Sequence, residues 1–155
     1  MEIQKTHIYF VPGLAANPQI FEFLQLSKTK FELHFLEWLI PISKQESIKN
    51  YAQRMADLVT EPNPVLVGVS FGGLIAQEMS KHLKPKKIII ISSVKSKNEL
   101  PKRLRTIQKI KAYKLFPTKS ITSLEAFLIY AFGDFAEKRM KLYNQYLSVR
   151  DERYL

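Results

Sequence analysis

The amino-acid sequence predicts an α/β fold built on a parallel, doubly wound sheet of about four strands. Apolar, strand-like runs alternate with helical patterns through residues 6–92. Two of these runs, 65–69 and 88–91, are continuously apolar, which is typical of parallel strands covered on both faces. A Gly-x-Ser-x-Gly pattern stands where the third predicted strand gives way to a helix.

The first strand is predicted at residues 6–11 and the second at residues 32–38. Between them, Asn17 and Pro18 indicate a helix start, because asparagine caps helix N-termini and proline fits the first helical position. Four apolar side chains are expected to pack that helix on the sheet: Ile20, Phe21, Phe23 and Leu24.

A second helix is expected to begin at a capping box formed by Ser43 and Glu46. Its amphipathic face at three- and four-residue spacing comprises Ile48, Tyr51, Ala52, Met55, Leu58 and Val59. Strand 3 at residues 65–69, a helix over 74–83 and strand 4 over 87–92 complete the alternation.

The strand–helix junction contains Gly68, Ser70 and Gly72, followed by Gly73. A strained turn at this place lifts a serine hydroxyl clear of the sheet edge. Side chains two positions either side would collide with the neighbouring strand or helix, which favours glycine there, and Gly73 gives further room. The helix N-terminus offers N–H groups and a positive dipole end to a developing oxyanion. The pattern therefore predicts a nucleophile elbow rather than an ordinary glycine-rich turn.

With this motif, nearly the whole chain resembles the α/β-hydrolase family. The loop Pro12-Gly13-Leu14 after strand 1 resembles the family's oxyanion loop, although there Pro-Gly stands in place of the more frequent His-Gly. The resemblance implies that Ser70 is the nucleophile of a serine esterase- or lipase-like enzyme. It also implies that the N–H groups of Leu14 and Phe71 form the oxyanion hole, and it implies no metal or organic cofactor.

Ligands of open parallel sheets bind at the carboxyl ends of the strands. Gly13, Trp38 and Ser93 follow three predicted strands and are therefore candidate pocket residues. For Trp38, a half-buried packing role is at least as well supported as a place in the pocket wall.

Residues 1–98 are interpreted as the hydrolase core and residues 99–155 as a helical cap. Residues 97–119 contain eight Lys or Arg and one acid, with apolar residues recurring on one face. Such a helix is more often a cap over a pocket than a surface for anionic membranes or acidic partners, although both alternatives remain open. The open edge of strand 4 also allows pairing with another chain.

Composition and charge limit the compartment, the metal sites and the partners that the protein can have. The 155 residues carry a net charge of +10 and contain no cysteine, which fits a reducing compartment and excludes disulfides and thiolate metal sites. No signal peptide and no apolar run long enough to cross a membrane is recognisable. We expect a cytoplasmic protein acting on a small acyl substrate. No nucleic-acid-binding motif accompanies the positive charge.

The remainder of a catalytic triad is not apparent. In the family the acid and then the histidine follow the serine, yet no histidine follows His82, and His7 and His34 lie well below the site edge. Glu99 and Asp134 are positional candidates for the acid, but surface or capping roles explain them more simply. We expect the chain to be truncated before the strands that bear the acid and histidine.

The sequence thus predicts a serine hydrolase that acts on an ester, thioester or similar acyl substrate and is catalytically incomplete as it stands. Two alternatives remain. One is a non-catalytic, hydrolase-like protein that binds a ligand in the same pocket. The other is a module that binds membranes or acidic partners through residues 97–119.

Overall fold

The computed structural model describes residues 4–14 and 16–99. Four parallel strands form one sheet in the order β2-β1-β3-β4. They are β1 (Thr6–Val11), β2 (Phe31–Phe35), β3 (Val65–Val69) and β4 (Lys87–Ile91), with helix α1 (Ile48–Ala56) before β3 and helix α2 (Phe71–Met79) before β4. Short 3₁₀ turns span Pro18–Phe21 and Lys97–Glu99. The predicted parallel α/β sheet is confirmed, and the predicted cap lies outside the described residues.

The main core lies between the sheet and the two helices. Leu66 from β3, Met55 from α1 and Ile75 and Met79 from α2 are almost completely buried there. On the other face of the sheet, Ile8, Phe10, Val65 and Val67 form a smaller cluster, against which Phe21 packs. The sheet therefore buries apolar side chains on both of its faces, which stabilises the layered arrangement.

The short segment after β1 only partly follows the prediction. Asn17 caps the turn by accepting a 2.9 Å hydrogen bond from Gln19 N–H, and Pro18 is its first residue, as predicted. The turn ends at Phe21, however, so Phe23 is 82% exposed and Leu24 is also exposed rather than packed on the sheet.

Helix α1 begins four residues later than the predicted capping box. Its N-cap is Ser47, which accepts a 3.1 Å hydrogen bond from the N–H of Asn50. Glu46 cannot close the expected box because its carboxylate binds Arg54 and accepts from the N–H of Ile42. Two members of the predicted apolar face are exposed: Ile48 is the first residue of α1, and Leu58 lies beyond its C-cap, Asp57.

The limits of three other elements also differ. Strand β2 ends at Phe35 rather than at residue 38, and α2 occupies 71–79 rather than 74–83. Strand β4 is the outermost strand among the described residues, so Ile88, Ile89 and Ile91 are exposed. Among the described residues, this strand is less covered than its continuously apolar sequence predicts.

Candidate active site

Ser70 is the single residue that joins β3 to α2. Its backbone has φ 53° and ψ −120°, a conformation that residues with a Cβ atom rarely adopt. Such a conformation costs about 1–3 kcal/mol and persists only where the surrounding structure enforces it. Although Ser70 occupies the N-cap position of α2, its side chain makes no capping hydrogen bond, in contrast to Ser47 on α1. The geometry is that of a sharp strand-to-helix elbow.

The elbow allows no side chain at Gly68 or Gly72. A Cβ on Gly68 would collide with the backbone of Gly72 and would lie 2.6 Å from the Cα of Gly73. A Cβ on Gly72 would collide with the carbonyl oxygens of Val11 and Pro12. These contacts explain glycine at both positions, and they place the first turn of α2 directly against the loop after β1.

The segment after β4 closes on the same turn of α2. A Cβ on Gly73 would lie 2.6 Å from the Cβ of Ser93. The Gln77 side-chain amide donates 3.0 Å hydrogen bonds to the carbonyls of Gly73 and Val94, which ties the segment to the helix. The Ser93 hydroxyl is buried and has no hydrogen-bond partner among the described residues. Ser93 therefore packs against the first turn of α2, next to the elbow.

Trp38 connects the loop after β2 with two other parts of the site. Its indole N–H donates a 2.9 Å hydrogen bond to the carbonyl of Gly13, and its ring centroid lies 5.9 Å from that of Phe71. The ring also contacts Tyr51 of α1, and Trp38 is only 9% exposed. Of the two sequence interpretations, the packing role describes the observed side chain.

The ends of all four strands therefore meet around Ser70. Gly72 touches the loop after β1, Trp38 links that loop to Phe71, and Ser93 packs on Gly73. The candidate oxyanion residues, Leu14 and Phe71, lie on two of these converging segments. This convergence agrees with the sequence prediction, whereas the Trp38–Gly13 hydrogen bond has no sequence signal, because no local pattern links residues 25 positions apart.

The histidines are placed elsewhere, and all three lie in the part of the chain that the structure describes. His34 is level with Tyr9, and therefore with Leu66, four residues and about 13 Å before Ser70. Its Nε2 lies 3.0 Å from Nδ1 of His7, which is two residues further from the elbow. Because β2 ends at Phe35, His34 is one residue from the strand end rather than the predicted four. Its distance from Ser70 is nevertheless about 13 Å, because the register with β1 and β3 sets that distance.

His82 is exposed, and it lies beyond the end of α2, about 18 Å along the helix direction from Ser70. No histidine of this chain can therefore take the proton of the Ser70 hydroxyl in this arrangement. Glu99, one candidate acid, accepts a 2.6 Å hydrogen bond from the N–H of Lys95 and is exposed. The other candidate, Asp134, is outside the described residues.

A cavity of about 600 Å³ lies at the opposite end of the sheet, where β1, β3 and β4 begin. Its lining includes Lys5, His7, Glu61, Lys84 and Lys86. Because substrates of parallel sheets bind at the carboxyl ends of the strands, this cavity is not the candidate active site. In residues 4–14 and 16–99, no group of three or more potential ligand side chains is arranged to hold a metal ion.

Similarity to solved structures gives the class of the fold. An extracellular α/β-hydrolase from a Paenibacillus species matches 81% of this chain and 65% of its own, with a TM-score of 0.53 and 14% identity. BpoC of Mycobacterium tuberculosis H37Rv, described as a candidate non-heme bromoperoxidase, matches 97% and 64%, with a TM-score of 0.56 and 13% identity. The chain has the α/β-hydrolase fold.

The similarity is one of fold alone. The chain spans slightly less than two thirds of the length of both solved structures. No protein-family model and no curated protein sequence matches it. Within the described residues, no helix is long and apolar enough to cross a membrane.

Proposed function

We propose that Ser70 is the nucleophile of a serine hydrolase that cleaves an ester, thioester or similar acyl substrate. The observation that carries this proposal is the strained backbone of Ser70, held between β3 and α2 by the close contacts of Gly68 and Gly72. In an ordinary turn, a φ of 53° would favour glycine over serine. A nucleophilic serine, in contrast, requires a strained turn that places its hydroxyl clear of the sheet edge.

In this reaction the Ser70 hydroxyl oxygen attacks the acyl carbonyl and a base accepts its proton. The carbonyl oxygen becomes an oxyanion, which the N–H groups of Phe71 and Leu14 stabilise. Phe71 is the first residue of α2, so the positive end of the helix dipole also favours the negative charge. The carbonyl re-forms as the leaving alcohol or thiol takes the proton from the base. Water then gives a proton to the base and attacks the acyl-enzyme, and the base returns the proton to Ser70 as the carboxylic acid leaves.

A histidine base does not come from this chain, since its three histidines, all among the described residues, are remote from Ser70. We propose that a segment outside this 155-residue chain supplies the histidine and its acid, which is compatible with the greater length of the solved structures. The same distances favour one alternative, a protein that binds a ligand in the site without cleaving it. The Paenibacillus hydrolase is described as sharing functional homology with a tobacco salicylic acid-binding protein, which suits either possibility.

Labelling with a fluorophosphonate probe tests the proposal. The native gene product should be labelled at Ser70, as mapped by mass spectrometry, and Ser70→Ala should abolish the signal. Ser80→Ala is the matched control, because Ser80 lies at the other end of α2 and its hydroxyl only donates to the Gln77 carbonyl. Its labelling should equal that of the wild type.

A comparison of the native gene product with the 155-residue chain distinguishes the hydrolase from the binding protein. If the native product is longer than 155 residues and only the longer form is labelled, the base lies in the additional sequence. If the 155-residue chain is labelled equally fast, no further segment is needed. A native product that binds acyl ligands but is never labelled would refute the hydrolase and favour the binding protein.

A further inference from the structure

The peptide that joins Gly13 to Leu14 is held by two hydrogen bonds to one atom. The Gly13 carbonyl oxygen accepts a 2.9 Å hydrogen bond from the indole N–H of Trp38 and a 3.0 Å hydrogen bond from the backbone N–H of Ala16. A carbonyl oxygen has two lone pairs, so both are used. The direction of this carbonyl is therefore fixed from two sides.

Fixing the carbonyl also fixes the neighbouring N–H. The Gly13 C=O and the Leu14 N–H belong to one planar trans peptide, in which they point in opposite directions. A rotation of the peptide that turned the Leu14 N–H would have to break the bond from Trp38. The indole thus acts on Leu14 through the peptide plane.

Trp38 is itself immobilised. Its ring packs against the rings of Tyr51 of α1 and Phe71 of α2, with distances between ring centroids of 6.1 and 5.9 Å. Both contacts are made by rings, so they do not require the Tyr51 hydroxyl, which donates a 2.7 Å hydrogen bond to the carbonyl of Leu39. Trp38 therefore contacts the ring of one proposed oxyanion residue and orients the peptide of the other.

We propose that Trp38 is a positioning residue of the oxyanion hole, whose indole N–H holds the Gly13–Leu14 peptide so that the Leu14 N–H has a fixed direction relative to Phe71. The role in an oxyanion hole rests on the proposed hydrolase function. The control of the Leu14 N–H by Trp38 does not, because it rests on the hydrogen bonds that the Gly13 carbonyl accepts.

The test uses Trp38→Phe, which keeps an aromatic ring but removes the N–H donor. The matched control is Tyr51→Phe, which removes another aromatic-to-carbonyl hydrogen bond of the same cluster and leaves the Gly13 carbonyl untouched. Residual dipolar couplings of backbone N–H vectors measure their directions. We expect the Leu14 coupling to change in Trp38→Phe, while the couplings of β1 and β3 stay constant and Tyr51→Phe resembles the wild type.

The second readout is reactivity with p-nitrophenyl acetate, in the form of the native product that the fluorophosphonate labels. Loss of one oxyanion donor costs roughly a hundredfold or more in rate, so a misdirected donor should lower kcat by about 10- to 100-fold. KM should change by less than about threefold, because the interaction develops in the transition state. Tyr51→Phe should keep the wild-type kcat.

The outcomes distinguish the two proposals. An unchanged Leu14 coupling in Trp38→Phe, or an equal loss of kcat in both variants, overturns the role of Trp38. If the wild type is never labelled but the Leu14 coupling changes only in Trp38→Phe, the hydrolase proposal fails and the control of the peptide by Trp38 stands.

Discussion

The backbone N–H of Ser70 donates a 2.9 Å hydrogen bond to the carbonyl oxygen of Ile91. Val69 and Ile91 are register partners in β3 and β4, so the pairing of these strands extends to the residue at which the chain turns. The sheet therefore holds Ser70 on one side, and the close packing of Gly72 on Pro12 holds the following helix on the other. Because Ser70 is strained and held on both sides, substitutions at and around it should change the free energy of unfolding.

Substitution of Ser70 by glycine should stabilise the protein. Glycine adopts a φ of 53° without steric cost, so Ser70→Gly should raise the free energy of unfolding by about 1 kcal/mol in urea denaturation. Ser80→Gly provides the control, since Ser80 has a φ of −62° and donates to Gln77. That variant should lose about 0.5–1 kcal/mol. A loss of stability in Ser70→Gly would contradict the strained conformation.

The two helical glycines should differ in whether a second substitution can rescue them. Gly72→Ala should cost about 3 kcal/mol or more, because the added methyl group meets backbone carbonyls that cannot move away. The methyl group added by Gly73→Ala mainly meets the Ser93 side chain. In a double-mutant cycle, Ser93→Gly should therefore restore about 1–2 kcal/mol of the free energy of unfolding. The same Ser93→Gly change should give no recovery with Gly72→Ala. Equal coupling in both cycles would refute this packing.

Glu46 should contribute a pH-dependent part of the stability. Its side chain is only 6% exposed, and the hydrogen bond from Arg54 is the main cause that lowers the pKa of its carboxyl, with the Ile42 N–H acting in the same direction and burial opposing both. The folded state thus binds its proton less readily than the unfolded state. The stabilisation is complete above the unfolded pKa and is lost as the pH falls through the folded pKa.

Thermal unfolding of Glu46→Gln checks this sign. At about pH 7 the variant should unfold a few degrees below the wild type, and the difference should shrink towards about pH 3. Glu78→Gln is the comparison, because Glu78 pairs only with Lys81 on the surface of α2, where such pairs contribute little. A difference between Glu46→Gln and the wild type that grows on acidification would contradict the lowered pKa.

The exposed isoleucines of β4 predict self-association of the 155-residue chain. Among the described residues β4 is an edge strand, and it exposes Ile88, Ile89 and Ile91. An apolar edge invites pairing with another chain, whereas lysine on an edge discourages it. We expect a mass above the 18.1 kDa of the monomer in light scattering at high concentration, and we expect Ile89→Lys to lower it. A wild-type chain that stays monomeric would refute this prediction.

The sequence by itself determined the features that depend on near neighbours. Strands β1 and β3 lie where their apolar runs predict, and β4 ends one residue short of its prediction. The place of Ser70 between a strand and a helix is also readable locally, because the spacing of Gly68 and Gly72 reflects packing within a few residues.

Only the tertiary structure decided the features that join distant parts of the chain. The N-cap of α1 is Ser47 rather than Ser43, because Glu46 binds Arg54 and the N–H of Ile42 instead of closing a capping box. The hydrogen bond from Trp38 to Gly13 and the contact between His7 and His34 depend on strand order and register. Residues far apart in sequence have no local signal of contact, since their meeting depends on how the whole sheet assembles.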